Sequence, residues 1–443
     1  MKSFHLISLG CPKNLVDSEL MFGTLEQAGW VFEEDPQQAS MLVINTCGFI
    51  QSAVEEAIDE ILELSLLKQE DPDKLLVVTG CMVQRYRQEL VHELPEVDLF
   101  IGTEGFQQIA TLVEAVKAGT LQDKVCISER FLMDSTMPRR ISTPFYRSWL
   151  KITEGCNNRC SYCMIPSIRG DLRSRPIADL VKETVSLEQQ GVRELSLIAQ
   201  DLTAYGDDLG DSVQLTALLK ALLAESSIPW LRLMYLYPSG ISDPLLSLMA
   251  EQPRIVPYMD IPFQHVSDTV LKRMNRHYSS DDLYHLIGRI RSFLPDVALR
   301  STLMVGFPGE TDDDVRQLEQ FLREARLDHV GLFAYANETG SPSENFPHQC
   351  SESEKNDRLD FIAAVQAEVS EGNLQKYLGR VEPVLVEGMS RETDLLLEGR
   401  SRFQAPDIDG CVYITDGIAK AGDIVQVRIS EAQIYDLVGE IVA

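Results

Sequence analysis

The run Glu154-Gly-Cys156-Asn-Asn-Arg-Cys160-Ser-Tyr-Cys163 places three cysteines within eight residues. Thiolates at C-x-x-x-C-x-x-C spacing on one tight loop suit three corners of a 4Fe–4S cube and leave its fourth iron without a protein ligand. An open iron can bind and reduce a small molecule, whereas a closed site mostly carries electrons or holds structure. The competing reading is a structural zinc loop, but structural zinc takes four closing ligands. No histidine follows until His265, and no further cysteine until Cys350. Ligand count and spacing favour the cluster, with Cys156, Cys160 and Cys163 as its ligands.

Outward from this loop the chain alternates strand and helix patterns. Strands are predicted at Trp149–Thr153, Glu194–Ala199, Leu231–Leu236, Tyr258–Ile261, Ala298–Val305 and His329–Tyr335. Amphipathic stretches such as Asp179–Gln190 and Asp313–Ala325 lie between them. Six such units predict a partial (β/α)6 barrel, with chemistry at the carboxyl ends of its strands. The cysteine loop follows the first strand. Gln200 and Asp201, Gln264 and His265, and Gly306-Phe-Pro-Gly309-Glu310 follow the second, fourth and fifth. These polar groups are candidates for holding cofactor or substrate, or are simply solvated and capping groups. Arg169, Arg173 and Arg175 could grip a carboxylate by fork geometry or be surface charges, and receive no role.

The first third repeats one arrangement. Leu6-Ile-Ser-Leu-Gly-Cys11, Met41-Leu-Val-Ile-Asn-Thr-Cys47 and Leu75-Leu-Val-Val-Thr-Gly-Cys81 are short apolar runs, each closing on a cysteine. Such runs read as buried parallel strands. Helical spacing follows each, stopping at Gly29 after the first and opening on a Ser52/Glu55 capping box after the second. The series predicts an α/β, doubly wound parallel sheet. Cys11, Cys47 and Cys81 then share the edge where such sheets place ligands and can form a second three-thiolate set, although three core-filling cysteines is the bland alternative. Cys126, Cys350 and Cys411 read as ordinary residues. Past residue 375, short strands with tight turns predict a small five-stranded antiparallel barrel.

At 443 residues the chain should hold about three domains. A hydrophobic content of 44% supports packed cores, and the net charge of −28 opposes binding to a nucleic-acid backbone while attracting a basic partner. Residues 376–443 carry seven Lys/Arg against twelve Asp/Glu, unlike an RNA-gripping face. Nine cysteines in so large a chain suit a reducing compartment and metal ligation rather than disulfides. No signal peptide or membrane span is expected, so the expectation is a cytoplasmic protein.

These motifs together resemble the radical S-adenosylmethionine methylthiotransferases over essentially the full length. The resemblance implies an N-terminal methylthiotransferase domain at 1–125 with an auxiliary 4Fe–4S cluster, a radical core at 138–372 and a C-terminal TRAM domain at 375–443. Leu9-Gly-Cys11-Pro-Lys-Asn-Leu-Val-Asp-Ser-Glu19, Asn45-Thr-Cys47-Gly-Phe-Ile50 and Arg169-Gly-Asp-Leu-Arg-Ser-Arg-Pro176 are similar to the branch that acts on the decoding-centre small-subunit ribosomal protein, number twelve. The alternative is the sister branch that acts on a transfer RNA adenosine; a non-catalytic iron–sulfur or zinc module is a third reading.

The resemblance implies β-methylthiolation of one aspartate, with two S-adenosylmethionine molecules, a sulfur donor and hydrogen abstraction by a radical. Cys156, Cys160 and Cys163 would hold the radical cluster, and Cys11, Cys47 and Cys81 the auxiliary one. Tyr162 would set an aromatic face beside bound S-adenosylmethionine. Implied partners are the basic ribosomal protein and an electron donor such as a flavodoxin or ferredoxin, with no membrane and direct nucleic-acid binding disfavoured.

Overall fold

The computed structural model describes residues 2–210 and 213–442. Its first unit is a six-stranded parallel sheet built from β1 (Ser3–Ser8), β2 (Val31–Phe32), β3 (Met41–Thr46), β4 (Leu75–Gly80), β5 (Leu99–Ile101) and β6 (Val125–Cys126), in the order β2-β1-β3-β4-β5-β6. Alternate side chains feed opposite faces, as the two-residue period of a strand requires. Met41, Val43 and Val77 pack with Leu20 and Leu25 of α1 (Pro12–Gln27). Leu42, Ile44 and Leu76 pack with Val54 and Ile61 of α2 (Gln51–Glu70), and with Met82 of α3 (Cys81–Tyr86). The sheet is doubly wound, as predicted.

Helix ends follow local chemistry in one case and tertiary contacts in another. Pro12 opens α1, where its missing N–H costs nothing. The Ser52/Glu55 capping box does not form. The helix starts two residues earlier, with Ile50 as its N-cap, and the Gln51 N–H donates to Glu338 Oε1 at 2.7 Å, a carboxylate from the next unit. A distant acid replaces the local cap.

The second unit is a six-stranded parallel partial barrel, ordered β14-β13-β12-β11-β10-β7 and open between its first and last strands. Its strands are β7 (Arg147–Lys151), β10 (Glu194–Ile198), β11 (Trp230–Leu233), β12 (Ile255–Asp260), β13 (Ala298–Val305) and β14 (His329–Ala334). Strand ends differ from the predicted ones by up to three residues, because strand pairing rather than the apolar run sets where a strand stops. A two-stranded ribbon, β8 (Thr153–Glu154) with β9 (Arg173–Ser174), pins both ends of the cysteine loop. Leucine-rich faces of the intervening helices close the core.

The third unit is a closed barrel of β15 (Val381–Met389), β16 (Leu397–Ser401), β17 (Val412–Asp416), β18 (Ile424–Ala432) and β19 (Leu437–Ile441). It is not wholly antiparallel, since β17 and β19 pair in parallel. It docks beneath the partial barrel, at the first residues of β7, β10 and β14. Glu194 accepts from Arg232 and Arg400, both at 2.6 Å. Arg147 grips Asp407 with both guanidinium ends, and His329 Nε2 lies 2.9 Å from Phe403 O. Part of this module's acidity is therefore spent inside the molecule. Among the described residues no helix is long and apolar enough to cross a membrane.

Candidate active site

Three adjacent parallel strands deliver the first three cysteines. Cys11 caps α1 beyond β1, Cys47 follows β3, and Cys81 opens α3 beyond β4. The strand-to-helix turn at Cys81 needs Gly80, whose φ is +103° and whose Cβ would stand 2.3 Å from Asn45 Oδ1. A Cβ on Gly10 would sit 3.0 Å from Cys47 Cβ, so the first two cysteine loops touch. The thiols converge. Burial pushes Cys47 up and Cys81 to about 12, and the charge of Cys11 raises both further. Cys11 itself is exposed, which opens the set outward.

The second set lies on the loop between β8 and β9. Gly155 has φ +75°, and a Cβ there would be 2.1 Å from Asp171 O, so only glycine allows the loop to close. Cys156 N donates to Gly170 O at 3.1 Å, and Ser161 N to Met274 O at 3.0 Å. Donors face the sulfurs: Ile165 N stands 3.4 Å from Cys163 Sγ, and Arg276 Nη1 3.5 Å from Cys160 Sγ. Burial pushes Cys163 up to about 12, with Cys160 and then Cys156 adding to the rise. Among the described residues no three His, Cys, Asp or Glu side chains group as ligands of one metal ion. A four-iron cube takes its thiolates on separate irons, so its ligands need not close on a common point.

A buried charge network joins the two sets. Arg169 Nη2 donates to Cys81 Sγ at 3.2 Å and to Asn14 Oδ1 at 2.7 Å. Its Nη1 reaches Asp17 Oδ2 at 2.8 Å and Glu154 Oε2 at 3.3 Å. Lys151 pairs with the same two carboxylates, and Gln200 Nε2 donates to Glu154 Oε1 at 3.1 Å. Burial opposes ionisation of Glu154, but Lys151 and then Arg169 outweigh it and hold the carboxyl down at about 2. Cys81 also packs against Met164 and Ile168, just past Cys163.

The arginine run is framework rather than surface. Arg173 binds Glu104 Oε1 at 2.7 Å in the first unit and Phe131 O at 2.8 Å in the segment that follows it. Arg175 is fully buried on Asp179, Glu183 and Lys151 O. Asp201 accepts from Asn158 at 2.7 Å and from its own turn at Thr203, which steadies the cysteine loop. His265 is buried; its Nδ1 accepts from Ser267 N, and Nε2 lies 3.4 Å from Glu310. Glu310 in turn caps Gly306 N and meets Arg358. These strand-end groups are therefore tied to each other. The Gln264 backbone has φ +69° and bridges to Leu303. Tyr162 stands edge-on to Phe307, with centroids 6.5 Å apart. Sequence patterning carried no signal for Arg276, or for the Arg85–Glu338 pair that ties α3 to the segment after β14.

The family model described as the Radical SAM superfamily matches residues 150–322, and the molecule is a radical S-adenosylmethionine enzyme. The model "Uncharacterized protein family UPF0004" matches residues 3–102, and the TRAM domain model residues 378–442. The chain is 57% identical over 440 residues to the ribosomal protein uS12 methylthiotransferase RimO of Desulfotalea psychrophila, covering 99% of each. It is 48% identical to the RimO of Geotalea uraniireducens, covering 99% of this chain and 98% of that one. The chain belongs to the RimO family of radical S-adenosylmethionine methylthiotransferases. In fold it is similar to the radical S-adenosylmethionine methyltransferase TsrM from Kitasatospora setae, at TM-score 0.57 and 17% identity over 75% of this chain and 73% of that one.

Proposed function

We propose that this protein methylthiolates the β-carbon of one aspartate in ribosomal protein uS12, consuming two S-adenosylmethionine molecules and a sulfur donor. The observation that carries this reading is the pair of three-thiol sets joined through Arg169 and Glu154. Each set fits a cube with one open iron: three thiols, a glycine turn and N–H donors aimed at sulfur. Cys156, Cys160 and Cys163 hold the radical cluster, and Cys11, Cys47 and Cys81 the auxiliary one. When bound, these groups and S-adenosylmethionine supply a radical able to take hydrogen from an unactivated carbon, and a methylthio group to replace it.

The chain's own residues do the positioning. Arg169 and Arg276 place positive charge against thiolate sulfur, which favours ligation over protonation. The Lys151–Asp17–Arg169–Glu154 network holds the two cysteine loops in one register. Tyr162 offers its ring beside the radical loop to S-adenosylmethionine. Electrons come from a flavodoxin or ferredoxin, and the reaction takes place in the cytoplasm.

Anaerobic reaction with purified uS12 and with transfer RNA, read by mass spectrometry, tests the reading. The expected product is uS12 heavier by one methylthio group on an aspartate. Modification of transfer RNA alone would overturn it. Cys156→Ala should abolish reductive cleavage of S-adenosylmethionine. Cys11→Ala should keep that cleavage and yield no methylthio product.

A further inference from the structure

The segment 335–344, between β14 and the helix Glu352–Leu374, has no regular secondary structure. Two of its residues are nevertheless fixed on elements that carry the two cysteine sets. Glu338 reaches the first set. Its Oε2 meets Arg85 Nη1 at 2.9 Å, and its Oε1 accepts from Gln51 N at 2.7 Å. Arg85 stands four residues past Cys81 on α3, and its Nη1 also donates to Gly48 O, just past Cys47, at 3.0 Å. Its Nη2 donates back to Thr339 O at 3.0 Å. One ion pair thus touches the segments that bear two of the three cysteines.

The other anchor lies on the radical loop. Ser343 N donates to Ser161 O, between Cys160 and Cys163, at 3.0 Å. From one anchor to the other the chain is braced on itself. Ser341 N donates to Glu338 O at 3.0 Å, Gly340 N to Glu344 Oε2 at 2.9 Å, and Tyr335 Oη to Ser343 Oγ at 2.9 Å. A braced strap has a set length and passes position from one end to the other. The Arg85 and Glu338 side chains are only 6% and 4% exposed. Burying such a pair adds little net stability over an apolar contact; what it adds is a single geometry. With Arg169 on Cys81 and Glu338 on Arg85, α3 is clamped to the second unit near both of its ends.

We propose that segment 335–344 is a spacer that sets the separation of the two cysteine sets, with Glu338 and Ser343 as its positioning residues. The inference rests on the two-cluster reading above and deepens it. A carbon radical made beside one set must meet the methylthio group held at the other before it is quenched, and that capture depends on how far apart the two are held. Forming the radical needs only the radical loop. Slackening the strap should therefore separate two events that are otherwise linked.

The test uses full-length reconstituted enzyme under anaerobic conditions, as wild type, as Glu338→Ala, and with two glycines inserted after Gly340. The insertion leaves Glu338, Arg85 and Ser343 in place and lengthens only the strap. Methylthio groups on uS12 per 5′-deoxyadenosine released should fall about tenfold or more in both variants, because a displacement of about 1 Å can cost a hundredfold. Electron paramagnetic resonance of the reduced enzyme supplies a readout without turnover: the magnetic interaction between the two clusters should weaken in both variants. A merely structural segment would lower cleavage and product together, so an unchanged ratio in the insertion variant overturns the proposal. A wild type with no magnetic interaction does so too. An interaction that weakens in the variants, in an enzyme that never modifies uS12, overturns the functional reading and leaves the spacer role standing.

Discussion

Arg169 lies six residues past Cys163 in the chain, yet its guanidinium ends on a sulfur of the other cysteine set. It serves Asp17 and Glu154 at the same time, both almost fully buried. Removing it leaves Lys151 as the one cation paired with the two buried carboxylates among the described residues. Arg169→Gln should cost about 3–5 kcal/mol in denaturant titration of the chain, the usual penalty for breaking a buried ion pair from one side. It should also lower the midpoint potential of the auxiliary cluster, because a positive donor to the thiolate is lost, and Arg169→Lys should recover part of the shift. All six cysteines proposed as ligands were legible from spacing and strand position. Arg169 was not, since an arginine beside a loop reads the same whether it faces solvent or a thiolate. His265 and Glu310 were legible as strand-end polar groups, but their mutual contact was not.

Among the elements, the junction between β10 and the C-terminal barrel depends most on ionisation. Glu194 is fully buried between Arg400 and Arg232. Burial works against its charge, but Arg400 and then Arg232 prevail and hold it down at about 2. A depressed folded value means that the stabilisation is present above the ordinary glutamate range and is lost as pH falls towards about 2. Calorimetric melting should therefore show the C-terminal barrel loosening in that acid window. Glu194→Gln should melt lower at neutral pH and show a flatter acid dependence. Apolar runs located all six barrel strands because buried parallel strands read as continuous hydrophobic sequence. They missed β2 and β6, which are two residues each, β5, which is three, and β8 and β9, whose pairing follows the loop rather than any pattern. The α2 capping box failed for a related reason. Ser52 and Glu55 have the right spacing, but Glu338 occupies the helix end from elsewhere in the fold.

For the whole molecule, a charge of −28 should accelerate encounter with a basic ribosomal protein. Association with uS12 should slow steeply as salt rises, while dissociation changes less; stopped-flow binding across ionic strengths checks this. Anaerobic reconstitution should load about eight irons per chain, falling to about four when Cys11, Cys47 and Cys81 are replaced together. Iron and acid-labile sulfide analysis reads both. The sequence alone determined the three-unit plan, the doubly wound sheet, the partial barrel and the two cysteine sets. Those features are written in local periodicity and in ligand spacing, which survive without knowledge of neighbours. Only the tertiary structure decided that the two sets share one buried network, that the C-terminal barrel sets its acids against Arg147 and Arg300, and that Lys13 lies over the ring of Tyr235. Each of these is a contact between residues far apart in the chain, and a charge takes its meaning from the partner that folding brings to it.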